Sequence, residues 1–362
     1  MKVIVNKSDL RDAINAVMPA VAVKPSTPVT AGIFFRAETS GLTVRATNFS
    51  LDITAKIPAN VETAGETVTT GKFLQPIVNK LNGDIVTLAD SGSKLAVKSE
   101  AASFDLLTMD ASDFPKPASG EPTGAFRISG AALRKLIART AFACGDDQTR
   151  PHFTGVHFKV NGTQIRAAGT NAHRIAIVSD QTYDAAAADI IVPAATLKAI
   201  APALASQIVT AEIFPRAIAF DFDNLHIVSR LIDGSFPDVN KVIPASVATR
   251  AVIDAAELKA AIERIQIIAK ENSDKIVACT FTADGLKIAS NAQDIGQVIE
   301  HVDAEVTGDD INIAFNFAYV LDALKIIGGK IEFGINDNLK PALLKAPSNP
   351  DFIYVITPLR TR

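Results

Sequence analysis

The chain contains no tryptophan and only three tyrosines, so nineteen phenylalanines carry most of its aromatic mass. That balance suits packing better than aromatic recognition. Cysteine is nearly missing as well: Cys144 and Cys279 stand far apart and form no Cys-x-x-Cys pair. A disulfide scaffold is thereby excluded, and a reducing compartment is expected. No uninterrupted apolar run approaches the roughly 20 residues needed to cross a bilayer. The opening MKVIVNKSDLRDAI turns charged after a few apolar residues, unlike a signal peptide. A soluble, cytoplasmic chain without a membrane partner is expected. Excess charge of one sign is lacking too. The net charge of −3 excludes a uniformly basic surface and leaves room for a local basic patch.

Catalytic signatures are equally scarce. TGKF (70–73) has Gly-Lys without the glycine-rich run or the following Ser/Thr of a phosphate loop. A strand-flanked GxGxxG, a GxSxG and a cysteine with a nearby histidine are all absent. His152 and His157 have no carboxylate or thiol at metal-ligand spacing. Asp146-Asp147 reads as a solvated loop after Cys144-Gly145. No enzyme activity, cofactor or metal is expected.

What the chain does have is threefold self-similarity. KVIVNKSDLRDAINAV (2–17), AFRISGAALRKLIART (125–140) and RAVIDAAELKAAIERI (250–265) each pair a short alternating strand with an amphipathic helix. Leu10, Leu133 and Leu258 are equivalent, 123 and then 125 residues apart. A second helix recurs in TGKFLQPIVNKL (70–81), VPAATLKAIAPAL (192–204) and AFNFAYVLDALKII (314–327), marked by Leu74, Leu197 and Leu321. Between the helices, SGLTVRATNFSLDI, NGTQIRAAGTNAHRIAI and ADGLKIASNAQDIGQ share a glycine turn, alternating apolar residues and then Asn48, Asn171 or Asn291. DASDFPKP and IDGSFPDV close the first two copies on Phe-Pro. The segments 117–124 and 240–249, rich in Pro, Gly, Ser and Thr, read as linkers. Three domains follow, at 1–120, 125–245 and 249–362, each within the usual domain size. Grouped strands with only two helices per copy argue for an α+β class, with antiparallel sheet and helices on one face.

No acid, base or ligand constellation recurs in all three copies. Basic residues come closer, with Lys72 and Lys80, then Arg134, Lys135, Arg139 and Lys198, then Lys259, Arg264, Lys325 and Lys330 on or beside the paired helices. By helical geometry Lys135 and Arg139 project opposite the Leu133/Leu136/Ile137 stripe. As a set, these side chains suit a phosphate backbone, which needs charge and no base-reading motif. Taken singly, each suits a solvated helix face. The stretch TNAHRIAI (170–177) raises its own question. His173 reads as a catalytic base, a metal ligand, part of a binding surface or a buried polar residue. After the equivalent asparagines, the other two copies carry Phe49 and Ala292 with no histidine, so this place is specialised in one copy.

With these features in order, the chain resembles the bacterial DNA sliding clamps, the beta subunits of the replicative DNA polymerase III. The resemblance spans the whole chain through MKVIVNKSDLRDAI, FPKP (114–117), RPHFTGVHF (150–158), TNAHRIAI, LIDGSFPD (231–238), FNFAYVLDAL (315–324) and YVITPLR (354–360). It implies a DNA clamp fold of three similar domains and a ring-shaped homodimer around double-stranded DNA, read without sequence specificity. It further implies a processivity factor without catalysis. The implied partners are the polymerase III catalytic subunit, an ATP-driven clamp loader and other repair and replication proteins bearing a clamp-binding motif. Carried over by motif, a peptide pocket would be lined by Phe153, Thr170, His173, Arg174, Ile175, Pro237, Val242, Val355, Leu359 and Arg360. The dimer seam would hold Phe104 and Leu106 against Ile267 and Ile268. Lys24, Lys72, Arg134, Lys135, Arg139 and Lys198 would face DNA, with Arg150 adjacent. Asn171-Ala172 stands where Asp-Gly is usual, Thr357 replaces a typically apolar residue, and Thr361-Arg362 extend past the usual end. Two readings from other classes stay open: a repeat-built scaffold that never encircles DNA, and an enzyme using His173.

Overall fold

The computed structural model describes residues 1–117, 120–271, 275–292 and 295–360. Residues 118–119 of the first linker and Thr361-Arg362 therefore lie outside the described residues. The second linker is partly ordered as a 3-10 turn, Val239–Val242, and a strand begins at Thr249.

Both families of predicted helices form. They are α1 (Lys7–Val17), α2 (Gly71–Lys80), α3 (Gly130–Thr140), α4 (Ala194–Ile200), α5 (Ala255–Ala269) and α6 (Phe317–Leu324). Their repeat-marking leucines are all buried, as period-3.6 placement of apolar residues requires of a helix lying on a sheet. α4 is short because it tightens into a 3-10 turn at Ala201–Ala203, where Pro202 removes a backbone donor.

Every strand pair among the described residues is antiparallel. The chain divides into two compact units, and the division cuts through α3 between Arg134 and Lys135. The first unit comprises Met1–Arg134, Thr182–Ala187 and Ala195–Leu231. Its sheet has thirteen strands. From one edge they run Gly124–Ser129, Ile208–Phe214, Ala217–Phe222, Leu225–Arg230, Leu51–Ile57, Gly41–Thr47 and Gly32–Glu38. They continue through Gly65–Thr70, Ala102–Met109, Lys94–Ser99, Ile85–Asp90 and Lys2–Asn6 to Asn60–Thr63. α1 lies on Leu51–Ile57 and beside α2, where Asn15 is bonded to Gln75 at 2.9 Å and to Asn79 at 3.3 Å.

The second unit comprises Lys135–Gln181, Ala188–Ala194 and Ile232–Arg362. It holds a nine-stranded sheet in the order Ala188–Pro193, Gly155–Asn161, Gln164–Thr170, Arg174–Gln181, Asn349–Ile356, Ala342–Ala346, Lys330–Ile335, Thr249–Asp254 and Ala304–Thr307. A four-stranded sheet, Gly296–Val302, Gly285–Ala292, Ile276–Thr282 and Ile311–Asn316, lies under α5. Gly169 lets the last turn of α3 close onto the larger sheet, since a Cβ there would overlap the Thr140 carbonyl oxygen. The third copy departs from the repeat at Asn291, which lies within the Gly285–Ala292 strand, paired with Gln297, rather than in a turn.

Candidate functional site

Strands Gln164–Thr170 and Arg174–Gln181 meet in a turn held by the side-chain oxygens of Thr170 and Asn171. Asn171 Oδ1 accepts from His173 N at 3.0 Å and Arg174 N at 3.1 Å. Thr170 Oγ1 donates to the Arg174 carbonyl at 2.7 Å and accepts from Ala172 N at 3.1 Å. Such side-chain bonds to nearby backbone are why Asn and Thr favour turns. Thr357 N donates to the His173 carbonyl at 2.9 Å, tying the turn to the end of the Asn349–Ile356 strand. The His173 ring itself is exposed and has no hydrogen-bond partner among the described residues.

Past the turn the strand period of two sorts the side chains. Ile175 pairs with Val355 across the strands, and Ile177 with Ile353. Ile175, Ile177, Ala168, Val239, Leu343 and Val355 form one buried apolar cluster, with Phe236 and Ile243 packed against it. Two hollows of about 440 Å³ each lie in this unit. The first is bounded by Arg166, Ala168, Pro237 and Asn240. There His157 stacks on Phe236 at 4.6 Å and meets Asp189 at 2.7 Å, and Arg166 donates to Asn240 at 2.7 Å. Burial lowers the pKa of the Arg166 guanidinium, against the opposing charge of Asp238. The second hollow is lined by Cys279, Ile313, Leu359 and Arg360, with the Cys279 thiol pushed up to about 12 by burial.

The residues expected to line one pocket thus fall into groups. Thr170, His173, Ile175 and Val355 are contiguous. Pro237 borders one hollow, and Leu359 and Arg360 border the other. Phe153 is half-buried in the 3-10 turn Pro151–Phe153, edge-on to His152 at 4.3 Å. Val242 is exposed at the end of its turn.

Arg174 parts company with His173. It is only 8% exposed. Its Nη1 donates to Asp322 Oδ2 at 2.6 Å and its Nη2 to the Phe142 carbonyl at 2.5 Å. The guanidinium lies 4.5 Å from the Tyr319 ring centroid and 5.5 Å from that of Phe142. Burial alone would raise the Asp322 pKa, but hydrogen bonds from Lys325 and Arg174 outweigh it and hold the carboxyl below its ordinary value. Arg174 is therefore a fastener between the strand and α6. Asp322, Tyr319 and Phe142 escaped the sequence reading. FNFAYVLDAL marked the helix but not which of its residues would meet an arginine so distant in sequence.

The basic side chains are unequal. Lys24 is exposed in the loop after α1, Lys72 is exposed beside the Phe73 ring, and Arg150 and Lys198 are exposed. Arg134 is exposed with Nη1 3.5 Å from the Leu204 carbonyl. Lys135 and Arg139, expected on the open side of their helix, are half-buried. Lys135 pairs with Asp180 at 2.9 Å, and Arg139 donates to Asn349 at 2.8 Å. Of the expected seam, Phe104 is 41% and Ile267 64% exposed, while Leu106 and Ile268 are half-buried. Leu107, not singled out from sequence, is 72% exposed.

Three antiparallel copies with paired helices define a class, the α+β DNA clamp fold, and comparison with known proteins agrees. Family models of the DNA polymerase III beta subunit match in order: the N-terminal domain at residues 1–118, the central domain at 127–238 and the C-terminal domain at 240–360. The beta sliding clamp of Bacillus subtilis is 28% identical over 382 residues, covering 100% of both chains. That of Synechococcus elongatus is 29% identical over 376 residues with the same coverage. The crystal structure of the B. subtilis clamp superposes with a TM-score of 0.93 at 28% identity, each chain covered fully. A Pseudomonas aeruginosa clamp bound to griselimycin gives 0.94 at 26%, also with full coverage. The chain belongs to the DNA polymerase III beta subunit family, the DNA sliding clamps. That family is a non-catalytic processivity factor, and no finding favours the scaffold or the His173 enzyme. Among the described residues no helix is long and apolar enough to cross a membrane.

Proposed function

We propose that two copies of the chain close into a ring around duplex DNA in the cytoplasm and hold replication proteins on it without catalysing a reaction. Each copy contributes three domains, at 1–120, 125–245 and 249–362. The observation that carries this reading is the ordered run of three family domains, which together span nearly the whole chain. Ring closure by an ATP-driven loader makes attachment topological, so the DNA contacts can stay weak and sequence-independent. Lys24, Lys72, Arg134, Arg150 and Lys198, exposed among the described residues, supply these contacts. Lys135, ion-paired with Asp180, and Arg139, bonded to Asn349, add to the field from half-buried positions.

Partner proteins, the polymerase III catalytic subunit among them, dock a short peptide at the 170–175 turn. His173 and Thr170 form its polar rim, Ile175 and Val355 its apolar floor, and Pro237, Val242, Phe153, Leu359 and Arg360 its borders. Buried apolar anchoring with a few placed polar groups is what such a peptide needs. The test is retention on DNA after loader action. Chains loaded on a nicked circle should stay through gel filtration and leave once the circle is linearised. Equal loss from both forms overturns the ring.

A further inference from the structure

The turn at 170–174 has a second copy in the first unit. Asn48 Oδ1 accepts from Ser50 N at 3.1 Å and Leu51 N at 2.9 Å. Phe49 N donates to Thr47 Oγ1 at 3.3 Å, and Phe49 sits at φ +67° where Ala172 sits at +75°. Arg230 N donates to the Ser50 carbonyl at 2.9 Å, the counterpart of Thr357 N on His173. The covering segment repeats too: Phe114 stacks on Phe34 at 5.1 Å, as Phe236 stacks on His157.

The frame is shared and the chemistry is not. Where Ile175 faces Val355, Asp52 faces Val228; where Ile177 faces Ile353, Thr54 faces His226. Where Ala168 pairs with Ile177, Arg45 pairs with Thr54. Arg45 binds Asp52 at 2.9 and 2.5 Å and the Pro115 carbonyl at 2.6 Å. An ion pair thus replaces the apolar floor. Beside Asp52 lies a hollow of about 520 Å³, walled by Phe49, Val228, Lys56, Lys116, Arg216 and Arg230. The four cations are exposed and none is ion-paired among the described residues. Asp52 is the one carboxylate in the wall, and it is engaged by Arg45. The Phe49 ring is 50% exposed. Ile53 and Ala55 are buried on the side of their strand that α1 covers, and the hollow opens on the other, lined by Asp52, Thr54 and Lys56.

We infer that this hollow is a second docking groove, for an acidic, extended segment of a partner protein that sets one apolar side chain against Phe49. Unpaired cations around the rim favour carboxylates, and the exposed Phe49 ring accepts the one apolar side chain. The helix-free face suits a protein partner rather than the DNA assigned to the helices. That assignment, and the peptide class taken from the 170–175 groove, rest on the function proposed above; the charge pattern does not.

Fluorescence polarisation on the full-length chain tests it with two labelled peptides. One is an acidic heptapeptide with a single central isoleucine, and the other an uncharged peptide rich in leucine and phenylalanine. The triple reversal K116E/R216E/R230E should weaken the acidic probe at least tenfold and leave the apolar probe unchanged. F49G, which removes the ring and relieves the positive φ, should weaken the acidic probe at least threefold without altering charge. An acidic probe indifferent to the reversal overturns the groove. Indifference to F49G shows diffuse attraction and overturns it as well. So does a ten-nucleotide oligothymidylate that binds more tightly than the acidic peptide and responds to both variants. If the apolar probe fails to bind while the acidic probe behaves as stated, the 170–175 reading falls and this groove stands.

Discussion

Ala172 holds the left-handed conformation at φ +75°, a place that costs a residue with a Cβ about 1–2 kcal/mol. The Asn171 and Thr170 bonds keep it there. The family resemblance puts glycine at this position, and the geometry explains why. Ala172→Gly should therefore stabilise the chain by about 0.5–1 kcal/mol once the entropy of a freer unfolded chain is deducted. A urea midpoint that rises at unchanged slope bears this out, and a lower midpoint contradicts it. Two residues along, Arg174 and Asp322 make stability depend on acid. The folded Asp322 pKa is depressed, so the pair contributes in full above the unfolded value of about 3.9 and fades as pH falls through the folded pKa. Asp322→Asn should flatten the loss of stability as pH falls from about 4 through the folded pKa, relative to the parent. Parallel curves in urea titrations across that window would show that the carboxylate is not the cause. The sequence marked His173-Arg174 as one doublet. The structure separates them because the strand starts at Arg174, which sends one side chain out and the next inward.

Elements were legible where periodicity is strong. The six helices and their buried leucines follow from spacing alone, as do the Phe-Pro segments that return as stacks on Phe34 and His157. Periodicity put Lys135 and Arg139 on the open side of α3, where the structure has them half-buried. It could not supply Asp180 and Asn349, which reach them from 45 and 210 residues away. Asn291 looked like the third turn asparagine because its local pattern matches, yet strand pairing overrides it. Capping shows how unevenly the copies are built. Asp254 Oδ1 accepts from Ala256 N at 2.9 Å and Glu257 N at 3.1 Å at the start of α5, whereas Asn6 makes no side-chain cap for α1. Asp254→Ala should cost about 1 kcal/mol, and Asn6→Ala much less. Thermal unfolding of both variants checks the contrast, and equal losses would remove capping as its cause.

At the scale of the whole molecule, one chain leaves apolar surface uncovered at strand edges in both units. In the first unit, Ala102–Met109 pairs along its length with Lys94–Ser99 but meets Gly65–Thr70 only through Thr108 and Met109. One edge is open from Ala102 to Leu107, beside exposed Phe104 and Leu107. In the second unit, Gly296–Val302 ends the four-stranded sheet, with Ile299 exposed on it and Ile267 exposed on α5. An open strand edge flanked by apolar side chains is a template for pairing with another chain. Among the described residues each unit carries at least one such edge, so head-to-tail contact between edges of different kind can satisfy both and close. Sequence offered Phe104, Leu106, Ile267 and Ile268; Leu107 and Ile299 were hidden because exposure of a strand residue depends on which neighbour strand stops short. Ile267→Asp combined with Leu107→Asp should bring the proposed two-copy particle of about twice 38.2 kDa to one chain while far-ultraviolet circular dichroism stays native. Both side chains are exposed within a single copy, so their replacement spares its core. A double variant that keeps the parental mass in analytical ultracentrifugation would place the contact between copies elsewhere.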